Sequence, residues 1–145
     1  MRAVIQRVLS AKVEVEGTVV GEIGPGLLTL LGVADGDTPL QVEKVIAKIV
    51  KLRIFEDEQG KMNRSLLDKE YEHLIVSQFT LLADTASGNR PGFSSAARPE
   101  VARPLFEQAL EVSERLGVRT RGGQFQADMK VTLVNDGPVT LVIDS

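Results

Sequence analysis

Three polar residues interrupt an otherwise apolar segment of this chain, HLIVSQFTLLA at residues 73–83. Apolar side chains occupy odd and even positions alike, a pattern that predicts a strand buried on both faces. Ser77, Gln78 and Thr80 break this pattern, and a buried polar group without a hydrogen bond destabilises the folded state. Therefore either the core satisfies these groups or the strand opens onto a site that uses them.

A Ser-His-Asp triad is the first chemistry that Ser77 and His73 suggest, and strand geometry excludes it. Residues four apart on a strand share a face but lie roughly 13 Å apart, far beyond hydrogen-bond reach. His73 is the only histidine, so we expect it to be structural or at the surface. With one histidine and no cysteine we expect no transition-metal site and no cofactor, while carboxylate sites for magnesium or calcium stay open.

Main-chain amides are the remaining source of chemistry in this segment. Amides at the end of a strand that opens onto a pocket can form an oxyanion hole. The alternative is that the serine and threonine only bond to neighbouring backbone, as they do in most strands. Thr80 is a candidate nucleophile, but no base is evident beside it, and an unactivated threonine hydroxyl reacts poorly at neutral pH.

The surrounding sequence predicts strands at both ends and two helices between them. AKVEVEGTVVGEI alternates and turns at Gly17, and the residues from Leu27 to Val33 form an apolar strand. Helical spacing and capping residues predict helices at 38–53 and 99–116, and VRTRGG with ADMKVTLVNDGPVTLVID predicts three closing strands. The order fits one α/β domain over residues 1–145, a barrel-like pair of β-sheets with two helices packed outside.

Two irregular segments stand out. DTASGNRPGFSSAA, residues 84–97, is long for a loop in a compact domain, and such loops are often functional or mobile. NDGPVT, residues 135–140, has the composition of a hairpin turn. Only ~5–6% of proline peptide bonds in folded proteins are cis, so the sequence leaves the isomer at Pro138 open.

Composition limits the classes of function. The chain has 145 residues, a formal net charge of −3 and a sequence pI near 5.2, which argues against a general nucleic-acid coat and leaves a local basic patch open. No signal-like start and no membrane-length apolar run are evident, so we expect a soluble protein. The absence of cysteine fits a cytoplasmic location.

Four segments together resemble the D-aminoacyl-tRNA deacylase family, also named for D-tyrosyl-tRNA. They are MRAVIQRV at 1–8, SQFTL at 77–81, GNRPGFS at 88–94 and NDGPVT at 135–140. The resemblance implies a homodimer with an active site at each end of its interface. It implies hydrolysis of the ester between a D-amino acid and the terminal adenosine of tRNA, with no DNA or membrane as partner.

The resemblance also implies roles for particular residues. Ser77, Gln78, Phe79 and Thr80 line the catalytic site, with main-chain amides near Gln78 and Phe79 facing the substrate carbonyl. Water assisted by the 2'-hydroxyl of the substrate ribose is then the attacking group.

The substrate's chirality is selected, by the same resemblance, at a Gly-cisPro motif formed by Gly137 and Pro138, which reaches in from the partner subunit and which Arg7 helps to hold. The motif excludes an L side chain and would let achiral glycyl-tRNA through. Phe125 and Met129, in GGQFQADM, are candidates for packing the adenine. Gln126 stands where that motif commonly has glycine.

Two other classes of function stay open at this point. The first is a non-catalytic dimeric module that binds RNA ends or a small metabolite, which the acidic pI and the missing side-chain base would suit. The second is a general esterase that uses Thr80.

Overall fold

A computed structural model describes residues 1–145 and contains eight strands and three helices. The strands are β1 Arg2–Val15, β2 Thr18–Ile23, β3 Gly26–Gly32, β4 Phe55–Glu56, β5 Met62–Arg64, β6 Glu72–Ser77, β7 Thr120–Gly122 and β8 Met129–Asp144. The helices are α1 Pro39–Lys51, α2 Leu66–Lys69 and α3 Pro99–Arg115. None of the helices is long and apolar enough to cross a membrane.

Six of the strands form one mixed sheet. Its order is β2-β1-β3-β6-β7, and β8 pairs with β1 along most of its length. The β3-β6 and β6-β7 pairs are parallel and the others antiparallel. The ends of the sheet approach each other, since a Cβ on Gly21 of β2 would lie 2.8 Å from the carbonyl oxygen of Gly122 in β7. The sheet therefore curls into a nearly closed barrel, which confirms the predicted mixed α/β fold.

Two apolar clusters hold these layers together. The larger one, 21 buried residues, lies where the sheet packs against α1 and α3, and the two helices also contact each other. The smaller one has seven residues from β1, β2, β3 and β6, and fills the inside of the curl: Val8, Ala11, Val13, Ile23, Leu28, Leu74 and Val76. Both clusters are continuous with the strand that carries the polar segment, because β6 contributes Ile75 to the first and Leu74 and Val76 to the second.

Two predictions about strands were wrong. The strand expected over 73–83 ends at Ser77, and a short 3₁₀ turn follows at Phe79–Leu82. It ends because the next carbonyl on the edge it pairs with, that of Val33 just after β3, accepts the Ala97 amide instead. The segment expected to form two strands around a turn at 135–140 is the single strand β8, because the 14-residue β1 pairs with it on both sides of residues 136–139.

A chain of side-chain hydrogen bonds crosses the core at His73, which is fully buried as a structural residue. Thr120 Oγ1 donates to the Val118 carbonyl, and 2.7 Å separates Thr120 Oγ1 from Ser113 Oγ. Ser113 must then donate to Thr120, so His73 Nδ1 donates to Ser113 at 2.9 Å and Nε2 accepts from Thr29 at 2.7 Å. The network ties β3, β6, β7 and α3 together and requires a neutral imidazole.

Burial lowers the pKa of His73 from 6.5 to about 3. Between these values the unfolded chain binds the proton and the folded chain does not, so stability falls as the pH is lowered from 6.5 towards 3. We expect this residue to contribute up to about 1.4 kcal/mol per pH unit to the slope of unfolding free energy against pH. Urea unfolding of the wild type and His73→Gln across this window measures the difference. An imidazole resonance that titrates near pH 6.5 in the folded protein would contradict the assignment.

Candidate active site

A cavity of about 680 Å³ opens where the polar segment of β6 ends. Its walls come from the end of β6 and the 3₁₀ turn, the loop that follows, the first two turns of α3, and the segment between β7 and β8. Thirteen of its 19 lining residues are hydrophobic. A mostly apolar cavity with a few polar groups is typical of a small-molecule site.

Ser77, Gln78, Phe79 and Thr80 all line this cavity. Ser77 and Gln78 are half-buried, and Phe79 and Thr80 are exposed. The chain turns at Gln78, where φ is −146° and ψ is 79°, so the four residues bend across the end of the sheet. The polar interruption of this apolar segment is therefore the place where the strand stops, and its polar residues line a cavity.

The main-chain amides of this turn are not equivalent. The Gln78 amide donates to the Leu31 carbonyl at 2.8 Å, so it is already used by the sheet. The first bond of the 3₁₀ turn runs from the Leu81 amide to the Gln78 carbonyl. Phe79 and Thr80 thus precede the first donor of the turn, and the early amides of a helical turn have no partner within it. Of the two amides expected near Gln78 and Phe79, that of Gln78 is thus used by the sheet, whereas the amides of Phe79 and Thr80 have no backbone partner.

No side-chain base accompanies these amides. The Thr80 hydroxyl accepts a hydrogen bond from the side-chain amide of Gln78, and no imidazole or carboxylate bonds to it. His73 is occupied in the core network. The chain contains no group of three or more His, Cys, Asp or Glu residues that could hold a metal ion. The arrangement favours chemistry by main-chain donors acting on a substrate that brings or activates its own nucleophile.

The loop at 84–97 forms one rim of the cavity. The Phe93 ring packs edge-on against Phe79, with 5.1 Å between the ring centroids, and Ala96 and Ala97 also line the cavity. The Ala97 amide of the loop donates to the Val33 carbonyl just after β3 at 2.9 Å, and Ser95 Oγ donates to the Leu82 carbonyl of the 3₁₀ turn at 3.0 Å. These contacts hold the loop in a fixed position at the cavity.

The two residues expected to pack an adenine, Phe125 and Met129, lie in the opposite wall. Phe125 is half-buried and its ring centroid lies 6.0 Å from that of Phe106 in α3. Gln126 also lines the cavity and has a φ of 63°, a left-handed conformation that glycine adopts without steric penalty.

Gly137, Pro138 and Arg7 lie outside this cavity. The pairing of β1 with β8 shifts at this point, from Gln6 opposite Thr140 to Val8 opposite Asn135, so residues 136–139 bulge from the strand opposite Arg7. We call residues 136–139 the bulge. Gly137 and Pro138 are exposed, and the peptide bond between them is cis.

Arg7 is 6% exposed and holds the base of the bulge. Its Nε donates to the Asp136 carbonyl at 3.2 Å and lies 3.4 Å from the Asp136 carboxylate, while Nη1 donates to the Ile54 carbonyl at 2.8 Å. Asn135 Oδ1 accepts a hydrogen bond from the Val139 amide at 3.1 Å. The sequence analysis did not identify Asn135, Asp136 and Ile54 as residues that hold the bulge. The only sequence feature that could have indicated the first two is that they precede Gly137.

Comparisons with known proteins agree with this fold. The family model described as D-Tyr-tRNA(Tyr) deacylase matches residues 4–144. Curated proteins named D-aminoacyl-tRNA deacylase are 60% identical in Jannaschia sp. (strain CCS1) and in Opitutus terrae, and the alignments cover all of this chain and 99% and 97% of those proteins. The chain therefore belongs to the D-Tyr-tRNA(Tyr) deacylase family, a family of hydrolases.

Two solved structures are also similar. One, titled c-Myc DNA Unwinding Element Binding Protein, is 42% identical, with a TM-score of 0.94 over 100% of this chain and 99% of that one. The other, titled as a probable eukaryotic D-amino acid tRNA deacylase, is 17% identical, with a TM-score of 0.84 over 99% and 98% of the two chains. At that identity the second structure shows the shared fold alone.

Gly32 is where the 3₁₀ turn packs on β3, so we expect Gly32→Ala to damage the cavity. An added Cβ would lie 2.9 Å from the Gln78 carbonyl oxygen and would overlap the Leu82 side chain. Overpacking of this kind costs about 1–3 kcal/mol of unfolding free energy. The rate of the reaction for which the family is named should fall as the turn shifts.

Urea unfolding and that rate, measured together, check this prediction. Gly24→Ala is the control, because its Cβ would meet only a Glu72 carboxylate oxygen at 3.6 Å. Wild-type activity and stability in Gly32→Ala would show that the turn has room to adjust.

Proposed function

We propose that this protein hydrolyses the ester of D-aminoacyl-tRNA and releases the free D-amino acid and tRNA, as a step of chiral proofreading in translation quality control in the cytoplasm. The observation that carries the proposal is the pair of amides at Phe79 and Thr80, which precede the first donor of their turn in the wall of an apolar cavity. Relatives with 60% identity over the whole chain carry the name of this activity.

The chemistry follows from the donors available. The carbonyl oxygen of the substrate ester lies at the Phe79 and Thr80 amides, and its negative charge in the transition state is stabilised there. One such donor is typically worth about 2.7–4 kcal/mol. A water molecule assisted by the ribose 2'-hydroxyl forms the new bond to the carbonyl carbon. The bond to the ribose 3'-oxygen breaks, and that oxygen takes the proton released by the water.

The adenosine end of the substrate occupies the opposite wall. Phe125 and Met129 offer half-buried apolar surface there, and base packing on an aromatic ring is a common way to hold an unpaired nucleotide. The formal net charge of −3 argues that tRNA is held through few phosphates and argues against DNA as a general partner, although one solved relative is named for binding a DNA element.

Selection of the D form requires a second copy of the chain. The bulge is exposed and does not line the cavity of its own chain, so we propose that it enters the cavity of the partner in a homodimer. Two observations favour this surface as the interface. β8 pairs only with β1 and has a free edge, and Leu9, Val134 and Val142 on these two strands are 54%, 49% and 62% exposed. Exposed large apolar side chains on two adjacent strands, beside a free sheet edge, are suited to a protein interface.

In such a dimer Gly137 and Pro138 act by exclusion. Their main chain forms a wall beside the alpha carbon of the substrate. The wall accepts a hydrogen bond from the substrate ammonium group and leaves room only for hydrogen on that side of the alpha carbon. An L side chain would collide with the wall. Glycyl-tRNA, which has no side chain, passes and is a second substrate.

A time course of purified protein with D-aminoacyl-tRNA tests the proposed activity. An enzyme shortens the lifetime of the ester, whereas a module that only binds RNA ends would protect it. Protection of the ester, or no effect on it, would overturn the proposal. A matched L-aminoacyl-tRNA shows whether the activity is selective or belongs to a general esterase.

Thr80→Ala should keep most of the activity, because the Thr80 hydroxyl has only the Gln78 side chain as a partner and no base to activate it. Its main-chain amide, the group proposed to act, remains in the variant. We expect a loss far smaller than the roughly 10⁶-fold drop that follows removal of a covalent nucleophile. Initial rates on D-aminoacyl-tRNA measure this. Complete loss with intact folding and substrate binding would support a covalent threonine mechanism.

Gly137→Ala should weaken the discrimination between D and L substrates. The φ of Gly137 is 126°, and an added Cβ would lie 3.0 Å from Arg7 Nη2 and 2.9 Å from Val139 Cγ2, so the bulge must move. We expect the ratio of D to L initial rates to fall by about tenfold or more, which corresponds to a change of at least 1.4 kcal/mol.

The control for this variant is Gly60→Ala in the β4-β5 turn, which has a φ of 78° and no atom near the added Cβ. It also adds a Cβ to a glycine with a positive φ, without touching the bulge. An unchanged ratio in a folded dimer of Gly137→Ala would remove the selection role from Gly137 and Pro138.

A further inference from the structure

An arginine without an acidic partner lies at the rim of the cavity. Arg103 is an exposed residue of α3, and its guanidinium carbon lies 4.7 Å from the centroid of the Phe125 ring. Its Nη2 donates to Gln126 Oε1 at 3.1 Å. It takes part in none of the ion pairs of the chain, and neither Glu100 nor Glu107, about one turn away on the same helix, comes within 4.0 Å.

The cavity beside this arginine has one charged residue in its lining, and that residue is paired. It is Asp128, whose carboxylate oxygens lie 3.0 and 3.2 Å from Lys130 Nζ in an exposed ion pair. The cavity therefore suits the uncharged parts of a nucleoside. An unmatched positive charge at its rim, in a chain with a formal net charge of −3, is suited to an anion.

The contacts of Arg103 also fix its orientation. Its position over Phe125 restricts the plane of the guanidinium, and Gln126 accepts only one of the five N–H donors. Gln126 makes this contact from a φ of 63°, which a non-glycine residue adopts with difficulty. A glycine at position 126 would have no side chain to hold the arginine.

We propose that Arg103 binds the phosphate that joins the terminal adenosine to the rest of the tRNA, with Gln126 as the residue that positions it. This inference rests on the proposed function, in which the adenine packs on Phe125 and Met129. The 5'-phosphate of an adenosine held in that wall leaves the cavity at its rim. A planar guanidinium with free donors pairs two of them with phosphate oxygens, which a lysine cannot do with the same geometry.

The test compares Arg103→Gln with Arg115→Gln, which makes the same change in charge on the same helix. Arg115 lies twelve residues, about 18 Å, further along α3 and pairs with Glu43 at 2.6 Å. The ligand is a tRNA whose terminal ribose carries a D-amino acid through a non-hydrolysable amide, so binding is measured without hydrolysis. The affinity of each protein is determined over a range of salt concentrations.

We expect Arg103→Gln to weaken binding by about tenfold, as expected for loss of a charge-assisted hydrogen bond. The slope of log affinity against log salt should fall by about 0.7–0.9, the value for one phosphate. Arg115→Gln should change neither quantity. Arg103→Lys should keep the salt slope and lose part of the affinity, because it keeps the charge without the planar fork.

A second ligand, the same D-aminoacyl amide on adenosine without a phosphate, separates phosphate binding from base packing. Wild type and Arg103→Gln should bind it equally. An equal loss on this ligand, an unchanged salt slope, or the same effect from Arg115→Gln would each overturn the proposal. If the wild type binds but does not hydrolyse D-aminoacyl-tRNA, the proposed activity fails, while the salt slopes still decide the role of Arg103.

Discussion

The hydrogen bond from the Gln78 amide to the Leu31 carbonyl, 2.8 Å long, is the point at which the sheet ends and the site begins. It is the last rung between β3 and β6, and it leaves the next two amides, at Phe79 and Thr80, outside the sheet. The absence of a side chain at Gly32 lets the 3₁₀ turn pack close to the end of β3. The proposed chemistry thus depends on where two strands stop, because main-chain donors can serve a substrate only where the sheet no longer uses them.

The anchoring of the bulge places the proposed selection of the D substrate on a different element from the proposed catalysis. The buried Arg7 is bound to the Ile54 carbonyl and to Asp136, so the bulge is anchored at its base while Gly137 and Pro138 remain exposed. A rigid, exposed element of this kind is suited to act on another molecule. Selection by exclusion also needs rigidity, because a wall that moved aside to make room for a side chain would admit the wrong enantiomer.

The elements that local periodicity determines were predicted, and those that depend on distant partners were not. Residues 11–15 of β1, β2, β3, α1 and α3 were found from alternation, helical spacing and turn residues, whereas residues 2–10 of β1 were not. Of the two roles expected for His73, structural or at the surface, the structure shows the structural one. The end of β6 was missed because the bond from the distant Ala97 amide to the Val33 carbonyl sets it. The continuity of β8 was missed because a long β1 overrides a local turn signal. The site segments were found through family resemblance, since buried polar residues alone did not distinguish a site from a satisfied core.

The most direct test of the account is the D to L ratio of an isolated mixed dimer, made from Gly137→Ala chains and Gly32→Ala chains that carry different affinity tags. Its one intact cavity belongs to the chain with the altered bulge. If the bulge acts on the partner, that cavity faces an intact bulge and the mixed dimer shows the wild-type ratio. If the bulge acts within its own chain, the mixed dimer shows the lowered ratio of the Gly137→Ala homodimer, and the account of a site shared between two chains is wrong.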